Sequence, residues 1–341
     1  MKSYENIFIS SLTTMRIGGI CRHVLEIENE KDIPEAYDFA SAYWYPTYII
    51  GGGANTIGRD EGLDGVILLN RLRGFDDKDG LLTVAAGENW DTIVEYACNK
   101  GYTGIEALSR IPGLVGAAPA QNIGAYGQDV SQVLKSARVY DTATHKFVEL
   151  EKKDFQFGYR KSIMNTIAKG RFFVTSVTLE LKKGQMNRPF YNSVEKYIED
   201  YGATDFSPKG MREIVSAIRS EKLPDPRVKA SSGSFFKNVY LDPLEAEKAE
   251  EKGLPVRRGA DGNKINSACL IEPCGFKGQL LYGMRVNPAA PLVLINESAG
   301  TYANLAKARG QITSTVYDKF GYWLEQEPVE IINTKNRGAQ R

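Results

Sequence analysis

Residues 111 to 127 read IPGLVGAAPAQNIGAYG, seventeen consecutive residues without a charge, four of them glycine and four alanine. A run so poor in side chain cannot build a core of its own. It has to act as bare backbone against which something large is laid. Glycine removes Cβ and lets main-chain N–H groups approach a flat or charged ligand, while Pro112 and Pro119 restrict the freedom that glycine brings. An isolated Pro-Gly-x-x-Gly is more often a packing seam, but a second cluster shifts the reading here. Gly51, Gly52, Gly53, Ala54, Asn55 and Thr56 follow directly on the apolar Tyr48-Ile49-Ile50. That order puts backbone donors at the end of an expected strand, a nest suited to phosphate. The spacing matches neither GxGxxG nor GxxxxGK[ST], which argues against a Rossmann dinucleotide site and a P-loop.

Charge narrows the partners. With 43 Lys and Arg against 42 Asp and Glu, interspersed without long blocks, no net field draws nucleic acid or an anionic membrane. Neither partner is expected, and an anionic ligand must be met locally. The opening MKSYENIFISS lacks the apolar core of a signal peptide, and no stretch approaches the roughly 20 apolar residues that span a bilayer, so a cytoplasmic protein is expected. Cysteines 21, 98, 269 and 274 lack CxxC spacing, and His23 and His145 are the sole histidines. Reduced thiols and no metal site are expected. Protons for any chemistry must come from Ser, Tyr, Glu, Asp, Lys or water.

A chain of 341 residues suggests two or three domains. HVLEIE, KDIPEAYDFASAY and PTYII read as strand, helix and strand leading into the first glycine nest. GVILLN and LLTVAAG read as strands, and Asp91 to Asn99 as a helix with Ile93, Val94 and Ala97 on one face. KSARVYD, HKFVELE, DFQFGYR and FFVTSVTLELKK alternate with period two and predict an antiparallel sheet, His145 falling in a hairpin turn. The two prolines of KLPDPRV predict an extended crossing. Beyond it a long helix over Tyr302 to Phe320 precedes a closing strand GYWLEQEPVEII.

In order along the chain, TxxxGG from Thr14 to Gly19, GGGAN, IPGLVGAAPAQNIGAYG, FGYRKSI, KLPDPRV, GSFFKN, CLIEPCGFKG, LVLINE and KFGYWLEQE resemble the UDP-N-acetylenolpyruvylglucosamine reductases of peptidoglycan synthesis. The likeness runs from about Thr14 to Ile332, and the motifs together are far more specific than any one of them. PFYNSVEKY and QNIGAYG are similar to the longer subtype, which carries an extra loop over the substrate. The resemblance implies an α+β protein with an FAD-binding fold of the vanillyl-alcohol-oxidase (PCMH) type. Two flavin-holding subdomains, 1–65 and 66–220, would be joined by a substrate domain, 221–341, whose last residues can return to the first subdomain.

It also implies non-covalent FAD, NADPH as co-substrate, a UDP-sugar substrate and a monomer. Gly51, Gly52, Gly53, Ala54, Asn55 and Thr56 would meet the FAD pyrophosphate. Ile111, Pro112, Gly113, Gly116, Asn122, Gly124, Ala125, Tyr126 and Gly127 would run against pyrophosphate, ribityl chain and isoalloxazine. By the same resemblance Arg160 stabilises an enolate, Ser234 protonates it with Lys237 and Asn238 nearby, and a closing-strand glutamate completes the set. A gapless match puts that glutamate at Glu327, with Glu325 the second choice on the same strand face. Tyr159, Tyr191, Arg219, Lys222 and Asn238 would bind substrate. The glutamine that the longer subtype can carry before LVLIN is absent, Ala289 and Ala290 standing there. One pocket serving NADPH and substrate in turn implies ping-pong kinetics. The alternatives are another FAD oxidase or dehydrogenase of this fold, often tethered to flavin through histidine, and a flavin-binding module without catalysis.

Overall fold

The computed structural model describes residues 1–259 and 262–333. The first sheet orders β1 (Lys2–Phe8), β2 (Ile20–Ile27), β5 (Leu63–Asn70) and β3 (Thr47–Ile50) side by side. β2, β5 and β3 are parallel, and the helix α1 (Asp32–Ala42) makes the crossover that parallel strands require. β5 is apolar along nearly all its length because both faces are covered, Val66 and Leu68 toward α1, Ile67 and Leu69 toward Ile50. This strand carries the first sheet through the expected boundary at 65 as far as Asn70, since β2 pairs with it to that residue.

The second sheet is wholly antiparallel. The edge strand β6 (Phe75–Lys78) pairs with β7 (Leu81–Ala85), β7 with strand Phe172–Glu180, that strand with Leu134–Asp141, and the last with Lys146–Glu151. Helix α2 (Trp90–Asn99) packs Ile93, Val94 and Ala97 on this sheet, and Asn89 caps its first turn by accepting Thr92 N–H. His145 sits in the hairpin turn with φ near 55°. DFQFGYR departs from its predicted strand: Lys152–Phe155 is a short 3₁₀ turn, and Gln156 and Arg160 are left-handed. Its alternation comes from Phe155 and Phe157 stacking 5.0 Å apart in a turn, which imitates a strand's period.

Two helices that the pattern left unassigned follow, α3 (Asn192–Tyr201) and α4 (Pro208–Lys222). Val194 and Ile198 meet Met211, Ile214, Val215 and Ile218 in a small separate core that also takes Tyr126 and Tyr191. Helix α4 runs through the expected 220/221 boundary. KLPDPRV is not simply extended, because Asp225 accepts the N–H of Arg227 and turns the chain. The third unit holds α5 (Pro243–Glu251), α6 (Ser267–Ile271) and α7 (Tyr302–Phe320) around two small antiparallel sheets. Leu305, Ile312 and Val316 of α7 enter its core, whereas Phe320 packs at the margin. The predicted closing strand is shortened to Val329–Ile331. It lies parallel to β4 (Thr56–Gly58), beside the first glycine nest, because Pro328 interrupts the ladder. Residues 334–341, which end the expected third domain, lie outside the described residues.

Candidate active site

The two glycine runs come together from distant parts of the chain. A Cβ on Gly52 would stand 3.0 Å from the Cα of Gly113, and one on Gly51 would touch Leu114 and Ala117 at 3.5 and 3.6 Å. Their outer side stays open, with Gly52, Pro112, Ala117 and Gly127 exposed. Gly53 is the position where glycine is obligatory, with φ of +64° and the Leu12 carbonyl 2.0 Å from where a Cβ would stand. Among the described residues the N–H groups of Gly52, Gly53, Ala54 and Asn55 find no protein acceptor. Four adjacent donors beside a surface without side chains form a cradle for a phosphate-bearing planar ligand, and they fit the FAD pyrophosphate.

The cradle is braced from behind. Asn55 Nδ2 donates to Gln121 Oε1 at 2.7 Å, and Val329 N–H donates to the Asn55 carbonyl at 2.9 Å. Asn122 is left-handed and buried; its amide donates to the Gly158 carbonyl and accepts from Ser131 N–H. It therefore ties the second run to the FGYRKS turn instead of facing outward. Ile111 and Ala125 back onto the core of the second sheet.

That turn delivers Arg160. Asn165 Nδ2 donates to the Arg160 carbonyl at 2.9 Å and Ser162 Oγ donates to the Ala120 carbonyl at 2.6 Å, which holds the turn against the cradle. Arg160 Nη2 in turn donates to the Gly124 carbonyl at 2.9 Å. Its Nε lies 3.1 Å from Glu327 Oε1, a charge contact and not an aligned hydrogen bond, since the Nε–H meets no acceptor in line. Both side chains are largely buried.

Glu327 arrives by a second pairing. Its N–H donates to the Phe235 carbonyl, Lys237 N–H donates to the Glu325 carbonyl, and Phe236 and Gln326 form a bridge between them. Residues 325–327 thus run antiparallel to 235–237, directly after Ser234. The two candidate glutamates are separated sharply. The Glu325 side chain is 72% exposed and paired with Lys237 Nζ, whereas that of Glu327 is 11% exposed and faces Arg160. Burial pushes the Glu327 carboxyl above the ordinary carboxylate range, against the pull of Arg160 and Lys237. A cavity of about 290 Å³ opens beside it, lined among others by Arg160, Lys169, Lys237 and Glu327.

Ser234 ends a strand that pairs with Val293–Asn296, after a left-handed Gly233 with φ near 70°. Lys237 is engaged with Glu325 rather than turned to Ser234. Around the third unit's mouth, Tyr159 packs against Tyr240 with ring centres 4.6 Å apart and tilted at 42°, and Lys264 Nζ lies 5.6 Å from the Tyr159 ring. Tyr191 lies edge-on to Tyr126, and the Arg257 guanidinium sits 4.0 Å from its ring centre. Arg219 Nε is enclosed without an acceptor, and burial lowers the guanidinium pKa beside Tyr126. Lys222 is exposed at the end of α4, its carbonyl held by Asn287 Nδ2. Tyr240, Arg257 and Lys264 lie in no motif that the sequence singles out; only the sheet Val239–Leu241, Gly262–Ile265, Val256–Gly259 brings them to this edge.

Neither histidine approaches the cradle: His23 packs on Phe39 and Tyr45, and His145 contacts Tyr140. Among the described residues no group of three His, Cys, Asp or Glu side chains could hold a metal, and no helix is long and apolar enough to cross a membrane.

A bare-backbone surface beside a buried arginine and carboxylate suits a flavin-dependent oxidoreductase. The FAD binding domain family profile matches residues 21–151, and the UDP-N-acetylenolpyruvoylglucosamine reductase C-terminal domain profile matches residues 225–331. The reductase of Cupriavidus pinatubonensis is 36% identical over 315 residues, covering 90% of this chain and 93% of that one. That of Escherichia coli K12 is 34% identical over 321 residues, 92% of each chain. The solved reductase of Thermus caldophilus shares the fold with a TM-score of 0.67 over 97% of this chain and 98% of its own, at 22% identity. The chain belongs to the UDP-N-acetylenolpyruvoylglucosamine reductase family and is an FAD-dependent enzyme.

Proposed function

We propose that this enzyme reduces UDP-N-acetylenolpyruvylglucosamine to UDP-N-acetylmuramate with NADPH, in the cytoplasmic supply of peptidoglycan precursor. Bound FAD supplies the hydride carrier between the two substrates. The Gly51 to Thr56 nest and the Ile111 to Gly127 run would hold that carrier by backbone. When hydride reaches the enolpyruvyl methylene, negative charge develops toward the adjacent carboxylate. Arg160 is preset for that charge: its guanidinium is already anchored on the Gly124 carbonyl, so little reorganisation is needed as charge grows. Ser234 gives the proton to the enolate carbon. Glu327, rather than Glu325, orients the group or shares its proton. Tyr159, Tyr191, Arg219, Lys222 and Asn238 hold the UDP-sugar.

The observation that carries this reading is the convergence of Arg160 and Glu327 at 3.1 Å on the rim of the cradle, next to the chain that bears Ser234. Arg160 and Glu327 each come from a different unit, so a module that merely bound flavin would have no need to bring them together. Histidines remote from the cradle weigh against a flavin-tethering oxidase. The purified protein should be yellow, should bleach with NADPH without oxygen, and should recover colour when the enolpyruvyl nucleotide is added. Initial-velocity lines should be parallel, as one pocket used in turn requires. Protein without bound flavin, or colour recovery that ignores the nucleotide, would refute the proposal.

A further inference from the structure

The strand that carries Glu327 is gripped from its far side. Side chains alternate along it, so Gln326 points away from the face that Glu325 and Glu327 share. Arg309 of α7 meets it there, donating Nη1 to Gln326 Oε1 at 2.6 Å and to Glu330 Oε1 at 2.7 Å. Gln326 Nε2 donates to the Pro328 carbonyl at 2.7 Å, closing a loop around the one residue that cannot join a ladder.

Glu330 is the hub of this arrangement. Arg59 donates Nε and Nη2 to its other oxygen, Oε2, at 2.9 and 2.7 Å, and Tyr302 Oη donates to Oε1 at 2.8 Å. Burial alone would push the Glu330 carboxyl up, but these donors hold it below the ordinary range. Asp60, next to Arg59, accepts the Tyr302 and Ala303 N–H groups at 2.6 and 2.9 Å and so caps α7. The cluster joins the flavin-holding unit, through Arg59 and Asp60, to the third unit, through α7. Between its two grips stands Glu327, whose own N–H is bound to Phe235 on one side while Val329–Ile331 is bound to β4 on the other.

We infer that Arg309 is a positioning residue: through Gln326 it sets the strand so that the Glu327 carboxylate faces Arg160. The inference rests on the work assigned to Glu327 above. Arg309 itself bonds Gln326 and Glu330, whereas Arg160 meets Glu327 and the Gly124 carbonyl. One terminal nitrogen, Nη1, serves both acceptors while Nη2 reaches the Tyr302 hydroxyl at 3.4 Å, so a lysine, with three donors on a single nitrogen, can keep part of the bridge. A displacement of the order of 1 Å at a reacting group costs about a hundredfold in rate, so a loosened strand need not unfold to be slow.

The test is a double-mutant cycle on the FAD-loaded enzyme. Arg309→Met and Gln326→Met are each made in the wild-type and in the Glu327→Gln background. Turnover, KM for the enolpyruvyl nucleotide and FAD affinity are measured for every protein. Either substitution in the wild type should lower kcat about tenfold or more, with KM and FAD affinity within about threefold, and Arg309→Lys should recover part of the loss. In the Glu327→Gln background neither should lower kcat further. Equal losses in both backgrounds, or a fall in FAD affinity that matches the fall in rate, would overturn the inference and leave the proposed function standing. Unchanged turnover in Glu327→Gln alone would remove the role of Glu327 and this inference with it. Should Arg309→Met fail to fold, Gln326→Met decides, because it leaves the Arg59, Glu330 and Arg309 ion cluster intact.

Discussion

Replacing Gly52 by alanine isolates what the missing Cβ does. Gly52 is not one of the left-handed glycines, so alanine suits its backbone. The added carbon would stand 3.0 Å from Gly113 Cα, where carbon atoms prefer roughly 3.5–4.0 Å, so one wall of the cradle must retreat by about 0.5–1 Å. In the free protein the exposed loop can give way. With FAD bound, both walls are held by the ligand, and the strain falls on the complex. Overpacking of this kind costs about 1–3 kcal/mol, a loss of about five- to 150-fold in FAD affinity. Free FAD at about 100 times the wild-type Kd stabilises the wild type by about 2.7 kcal/mol, and a variant binding 50-fold more weakly by only about 0.6 kcal/mol. Flavin fluorescence titration gives the affinity, and melting with and without FAD gives the linked stability. Gly310→Ala is the control, since a Cβ there on α7 meets nothing within 4 Å. Wild-type FAD affinity in Gly52→Ala, with the apoprotein equally folded, would refute the cradle.

Two further outcomes follow from the site. Arg160→Lys keeps the charge but loses the fork that spans Gly124 and the Glu327 side, so kcat should fall about 10²–10³-fold while FAD affinity holds, as steady-state kinetics and titration will show. A drop in FAD affinity alone would reassign Arg160 to the cofactor. Glu327 has its folded pKa raised above its unfolded value, so its favourable contribution is present below the ordinary glutamate value of 4.5 and is lost as pH rises through the folded value. Glu327→Gln removes that loss. The melting temperature of the variant minus that of the wild type should therefore grow more positive as pH rises above the ordinary glutamate value of 4.5, and a flat or falling difference would contradict the burial.

Much of this site was legible where function writes itself into local composition. A cradle for a flat anionic ligand needs adjacent residues without side chains, and GGGAN and IPGLVGAAPAQNIGAYG show that need one residue after another. The strand-helix-strand entry and α7 were legible for a similar reason, each being set by periodicity within a dozen or so residues. DFQFGYR shows where the same logic misleads, because two stacked phenylalanines in a turn have the spacing of a strand. The helices α3 and α4 escaped although α4 sets Met211, Ile214, Val215 and Ile218 at helical spacing; what the spacing does not record is that this face serves a satellite core, of which Tyr126 and Tyr191 are parts.

The chain's order of residues determined that two stretches of bare backbone were available to a ligand and that an arginine, a serine and a pair of glutamates were at hand. The family resemblance ranks Glu327 ahead of Glu325, but spacing alone does not separate them, because a period of two sends both to one face. Tertiary structure gives the two side chains different surroundings. The pairing of 325–327 with 235–237 leaves Glu325 in solvent with Lys237 and drives Glu327 beneath Arg160, where lost hydration changes its chemistry. Burial and facing charge belong to the packed molecule, and no spacing along the chain records them.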